Sequence, residues 1–284
     1  MLFLILSVIC SVTVGVLFKI ARNYQVPAPQ IVAFNYAFAL ALCYLFFSPD
    51  LTFLDNSSPW GIFIAQGILL PVIFVFLAVS IQYMGIVKTD SAQRLSLIIS
   101  ILGAWLYFGE EFSSLKMTAL LIGFPALLLI LNKPADNTQN KWMYPAIVLV
   151  GFGVIDILFK QIALSSDISF TTSLFVIFSI ALLIMVIYNS YELVSGKTKM
   201  DFKSIIFGGL VGVFNFGNIL FYLKAHQAFA KNPSTVFAGM NMGVIIIGSL
   251  VGVFIFKEKI TKRNIAGLFL ALTAIFFIVM SQLN

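Results

Sequence analysis

The stretches YFGEEFSSLKMTALLIG (residues 107–123) and IFKEKITKRNIAGLFLA (255–271) decide the fold. In each, an apolar run closes, a short charged segment follows, and a second apolar run begins, so that Phe108 and Glu110 stand where Phe256 and Glu258 stand. Ala119 and Gly267 each follow the glutamate by nine residues. Upstream, VGVLFKIA (14–21) matches IDILFKQIA (155–163), aligning Leu17, Phe18 and Lys19 with Leu158, Phe159 and Lys160. Lys88 precedes Glu110 by 22 residues and Lys231 precedes Glu258 by 27, as if about one helical turn were missing from the first copy. A chain that repeats itself in this order has two similar halves.

Composition says what the halves are made of. Of 284 residues, 61% are apolar and 10% charged, against roughly 45–50% and about 25% in soluble domains. That excludes a soluble enzyme and leaves no room for a sizeable soluble domain. A bilayer tolerates such a chain, and about 20 apolar residues cross it as a helix. Ten such segments occur, at 2–20, 29–47, 60–84, 87–108, 114–132, 142–163, 170–190, 203–226, 232–257 and 263–281. They are too long for barrel strands and lack dyad alternation, and helices satisfy their own backbone groups. The expected fold is an all-α polytopic membrane protein of ten transmembrane helices. Two halves of five helices insert with opposite orientation, giving inverted repeats at 1–133 and 142–284 joined by a linker at 134–141. Pro71, inside the third segment, predicts a kink.

The net charge of +6 marks loops of a membrane protein and not a nucleic-acid partner. Cys10 and Cys43 lie in apolar runs without CxxC spacing and read as small buried hydrophobes. The N-terminal run lacks a basic n-region and a small-x-small cleavage site, so it reads as a retained helix. No GxxxxGK[ST] loop is present, so ATP does not drive the protein directly. Neither HExxH nor a Ser/His or paired-acid constellation points to catalysis, and nothing implies a cofactor or metal.

Ionisable groups at membrane depth cost roughly 2.5–3.5 kcal/mol each and need a partner or a wet cavity. Asp156 is followed one turn later by Lys160, either a self-neutralised structural pair or a coupling or substrate-charge device. Arg94, with Asp90 one turn before it, is a candidate to read an anionic substrate group or an interfacial ion pair. Asn35, Gln66, Gln82, Asn215, Asn218 and Asn241 supply uncharged polarity in segments two, three, eight and nine. Asn215, Asn218 and Tyr222 share one helical face and suit a hydrated cavity; interhelical hydrogen bonding is the alternative. Trp105 lies well inside segment four and, with Tyr36, Tyr83 and Tyr222, could wall an apolar pocket. Glu110 and Glu258 read as structural charges beside the first turns of the fifth and tenth helices. Gly208/Gly212, Gly239/Gly243 and Gly248/Gly252 have the spacing of close helix packing.

These motifs resemble the drug/metabolite transporter superfamily, and more closely its EamA-like members, which carry two tandem five-helix units. The resemblance rests on the closing hairpin of each half, with FYLKAHQAFAKNPSTVFAGMN (221–241) similar to the family's stretch between its eighth and ninth helices. It implies a secondary transporter, an exporter or exchanger of a small metabolite such as an amino acid or similar amphipathic compound, with a central site between inverted halves. The expected partners are that substrate and the bilayer, with no nucleic acid, no ATP and no required oligomer. The expected location is the plasma (inner) membrane if the source is bacterial. A non-transporting scaffold or a membrane-embedded enzyme are the alternatives. Two departures stand out: no proline occurs in 87–108, and Asn241 occupies the ninth segment. Of the 17 Lys and Arg, all but Lys116, Lys160, Lys224 and Lys231 fall on the side reached after odd-numbered segments. That count puts both termini outside, whereas the resemblance implies cytoplasmic termini.

Overall fold

The computed structural model describes residues 1–52, 54–56, 58–108, 113–131, 141–165, 168–229 and 233–283. They form eleven α-helices: α1 (Leu2–Asn23), α2 (Ala28–Phe47), α3 (Trp60–Met84), α4 (Ile86–Leu95), α5 (Leu97–Phe108), α6 (Ser114–Leu131), α7 (Met143–Ser165), α8 (Phe170–Val194), α9 (Phe202–Ala228), α10 (Pro233–Leu250) and α11 (Lys262–Leu283). Among the described residues there are no strands. Every expected segment is helical, but the fourth is broken in two. At Ser96 the side-chain hydroxyl donates to the Gln93 carbonyl (2.6 Å), offering the backbone an alternative to the helical ladder. α10 ends differently, in a π turn at Val251–Ile255.

Sequence chemistry sets the remaining ends. Pro27 and Pro59 precede α2 and α3, the Ser169 hydroxyl accepts the Thr172 amide at the start of α8, and the Asp201 carboxylate accepts the Lys203 amide at the start of α9. α3 runs on through Pro71 and stops at Gly85, whose φ of 90° suits a residue without a side chain. Among the described residues, six helices are long and apolar enough to cross a bilayer: α1, α2, α3, α8, α9 and the Lys262–Ser281 part of α11. Shorter apolar stretches lie at Ser114–Ile130, Met143–Phe159 and Gly239–Ile255. Large apolar side chains such as Leu45, Leu128 and Phe254 point outward, which in this setting is toward lipid.

Most packing joins the first six helices to the last five. α6 lies along α11, α9 against α1 and α2, α3 against α7 and α8, and α10 against α1 and α4. Lipid is as apolar as leucine, so close approach and shape do the work. A Cβ on Gly208 or Gly212 of α9 would stand 2.8 Å from the Ile31 or Asn35 carbonyl oxygen of α2. The core beside this seam is aromatic: Phe18 meets Phe74 edge-on at 5.8 Å, and Tyr36 meets Phe178 at 5.6 Å.

Candidate functional site

Ser7, Ser11, Gly15 and Lys19 recur every four residues along α1 and so share one face. Together the rungs meet α9, α10, α4 and the loop that follows the π turn. Ser7, fully buried, donates to the Asn218 side-chain oxygen of α9 (2.7 Å) and lies 3.3 Å from the Met240 sulfur of α10. Ser11 accepts from Nη2 of Arg94 on α4 (2.9 Å). Gly15 backs onto Asp90, one turn before Arg94: a Cβ there would lie 3.9 Å from its Oδ1. Lys19 Nζ lies 3.4 Å from Glu258 Oε1.

Arg94 is the centre of this arrangement. Its guanidinium lies within electrostatic reach of Asp90, Asp156 and Tyr222, and its Nε–H is buried without a hydrogen-bond partner. Asp156 accepts from the Ser100 hydroxyl of α5 (3.0 Å). Tyr222 stands edge-on to His226, ring centroids 4.6 Å apart. One cation, two acids, a phenol and two hydroxyls therefore gather where α1, α4, α5, α7 and α9 approach one another.

The other expected residues fall around or away from this centre. Asn215 donates to Asn35 across the α9–α2 seam (3.2 Å), and the Asn35 amide nitrogen has no partner. Gln66 of α3 donates to the Ile155 carbonyl (3.3 Å), the residue before Asp156, while its Oε1 is unpartnered. Asn241 is buried on α10. Tyr83 is 50% exposed, stacked on Tyr144 and capped by Lys141 Nζ 3.5 Å above its ring. Trp105 is 47% exposed on α5. Neither joins the Arg94 group. Lys160 belongs to α7, but its side chain, like Glu110 and Lys231 entirely, lies outside the described residues.

The Glu258 carboxylate meets the start of α4, whereas its position in the sequence suggested the start of the last helix. The chain leaves the π turn, the Glu258 amide returns to the Gly252 carbonyl (2.9 Å), and the carboxylate crosses to α4. There it accepts the Ile86 amide (2.7 Å) and the Val87 amide (3.1 Å). Those are unsatisfied donors at the positive end of a helix, which a carboxylate complements. Gly85 leaves the space, since a Cβ there would stand 2.5 Å from Glu258 Oε2. Lys19 and Lys88, both singled out with Glu258 by the repeat alignment, thus each fall within electrostatic reach of Glu258 across the halves.

The sequence model of the EamA-like transporter family matches residues 1–132. An uncharacterized protein of Haemophilus influenzae is 42% identical over 283 residues, spanning 96% of each chain. The chain belongs to the EamA-like transporter family. This EamA-like protein is accordingly an integral, multi-pass membrane protein of the drug/metabolite transporter superfamily, a family of transporters and not of enzymes. A solved crystal structure of 11% identity covers 97% of this chain and 96% of its own with a TM-score of 0.57, a likeness of fold along the whole length.

Missing from the sequence reading of the candidate site are Ser7, Ser11 and Ser100 as hydrogen-bonding members and Gly15 as a wall. The four-residue spacing of Ser7, Ser11, Gly15 and Lys19 was the available signal: small or polar residues on one face of an otherwise apolar helix.

Proposed function

We propose that this EamA-like protein is a secondary transporter that exports or exchanges a small zwitterionic metabolite, an amino acid or similar amphipathic compound, at the Arg94 centre. The observation that carries the reading is the buried guanidinium with an unpartnered N–H and Asp156 within its electrostatic reach. A planar guanidinium suits a substrate carboxylate, and Asp156 suits the ammonium. Ammonium and proton compete for the same carboxylate, which makes Asp156, with Lys160 one turn on, the coupling pair. Asn218, Tyr222, Asn215, Asn35, Gln66 and Asn241 supply the polar surroundings.

Alternating access needs two similar halves, here 1–133 and 142–284 joined by 134–141, forming ten spanning segments when α4 and α5 count as one and α10 includes its π turn. The packing supports inverted repeats, because exchanging the halves carries its main helix pairs onto one another. α1 packs on α9 and α10 as α7 packs on α3 and α4; α2 packs on α9 as α8 packs on α3; α6 and α11 pack on each other. The Glu258 cap on α4 closes the end of the seam into which α1 delivers Lys19. A gradient supplies the energy, and the plasma membrane of a bacterium is the fitting location.

The test is a thermal-shift screen of purified protein against amino acids, sugars, nucleosides and cationic drugs. A ligand at about 100 times its dissociation constant stabilises the native state by about 2.7 kcal/mol. Amino acids are expected to raise the melting temperature of wild type and not of Arg94→Gln. Stabilisation by sugars or nucleosides alone, or one that survives Arg94→Gln, refutes the assignment.

A further inference from the structure

Asp90 lies between the Arg94 centre and the Glu258 closure, and the transport scheme above makes no use of it. Its side chain is 6% exposed, and its Oδ2 is buried without a hydrogen-bond partner. Both halves of the chain supply its walls. A Cβ on Gly248 of α10 would stand 2.6 Å from Oδ2, and one on Gly15 of α1 would stand 3.9 Å from Oδ1, with Ile81 and Ile86 filling the same space.

The charged groups around it can be named element by element. Lys88 and Arg94 flank it on α4; Glu258 arrives from the end of α10 with Lys19 of α1 held on it; Asp156 of α7 and Tyr222 of α9 lie beyond Arg94. Arg94 directs its Nη2 to Ser11 and makes no ion pair within 4 Å with a described carboxylate. An ionised carboxyl with an open oxygen between glycine backbones is among the least tolerated groups in an apolar interior, and uptake of a proton removes the charge.

We infer that Asp90 is a second proton-binding site of the transporter, holding its proton while the seam of α1, α4 and α10 is shut. When α10 leaves α1 and α4, water reaches the carboxyl; the O–H bond breaks, the proton passes to water, and the carboxylate recovers a proton from water before the seam closes. The inference rests on the alternating-access reading, since it needs a seam that opens.

Infrared spectroscopy of the purified, lipid-reconstituted protein tests this without any substrate. Wild type at neutral pH is expected to show a protonated-carboxyl stretch with a component that persists in Asp156→Asn, which removes the other proton-binding carboxyl, and is lost in Asp90→Asn and in Asp90→Ser, two replacements of different volume. In D2O that band should shift slowly in wild type and at least about tenfold faster in Glu258→Gln, which weakens the closure by ~1.4 kcal/mol or more. No protonated-carboxyl band in wild type or in Asp156→Asn, a band undiminished in a folded Asp90 variant, or exchange as fast in wild type as in Glu258→Gln overturns the assignment. The deuterium comparison needs no Asp90 variant to fold. Failure of the amino-acid screen leaves these infrared outcomes untouched, so the two readings fall separately.

Discussion

Replacing Glu258 by Gln removes one charge and keeps the shape, and its effect can be worked from the geometry. The carboxylate accepts two amides at 2.7 and 3.1 Å and pairs with Lys19 at 3.4 Å, the two side chains being 11% and 18% exposed. A hydrogen bond to a charged group contributes about 1.5–3 kcal/mol net, and charge at a helix end adds ~0.3–1 kcal/mol. The Gln carbonyl can still accept one amide, so about half of the amide contribution survives. The net loss is ~2–3 kcal/mol, or about 30- to 150-fold in the ratio of closed to open seam. The assay is thiol labelling. With Cys10 and Cys43 removed, a cysteine at Val87, a position 2% exposed, becomes the reporter. A membrane-impermeant maleimide should modify it ~30- to 150-fold faster in the Glu258→Gln background if opening limits access. Lys19→Gln should raise the rate less, by about tenfold or under, because partly exposed ion pairs contribute ~1 kcal/mol at most. A Glu258→Gln rate within about threefold of its parent, a difference of only ~0.7 kcal/mol, would refute the view that this carboxylate holds the seam shut.

Gly212→Ala and Gly208→Ala should each lower stability by ~1–3 kcal/mol, since the new methyl meets a backbone carbonyl oxygen at 2.8 Å; Gly61→Ala, with nothing within 4 Å, should leave the melting temperature unchanged or raise it. Asp156→Asn should abolish proton dependence of amino-acid exchange in proteoliposomes while leaving the protein folded; unchanged dependence sinks its coupling role. On the α2–α3 loop, the Thr52 hydroxyl (2.6 Å) and amide (2.9 Å) both donate to Asp50 and hold its carboxyl below the usual range. Its stabilising contribution is therefore present above the unfolded carboxyl pKa and fades as pH falls through the lower folded value. Thr52→Val should move the Asp50 carboxyl resonance titration upward in NMR of aspartate-labelled protein.

Lengths and ends were the legible part of the fold, because water and lipid sort residues so sharply that charge and proline punctuate each span. Even so, α1 continues to Asn23 and α8 to Val194, past the residues at which charge and polarity had ended the segments. Lys19 and Arg22 can stay helical by reaching out of the apolar layer. Facing was far less legible. In a soluble helix the apolar stripe points inward, but a spanning helix is apolar all round, so periodicity does not separate the lipid face from the protein face. Trp105 illustrates this: its depth in the segment was readable, its outward direction was not. Arg94, Asp156, Asn218 and Tyr222 were readable because polar groups at depth must turn toward one another. The Glu258 contact with α4 was hidden for another reason, since 172 residues separate Glu258 from Ile86 and a local rule assigns a carboxylate to the nearest helix start.

That long-range cap also constrains how the protein is made. When α4 enters the membrane, the residue that will satisfy its first amides has not been synthesised, and Lys19 has no counter-ion until the ribosome reaches the end of α10. The N-terminal half is thus born with exposed donors and an unmatched ammonium at one membrane surface. Membrane chaperones and quality-control proteases can recognise such features, and a chain interrupted before Glu258 carries them permanently.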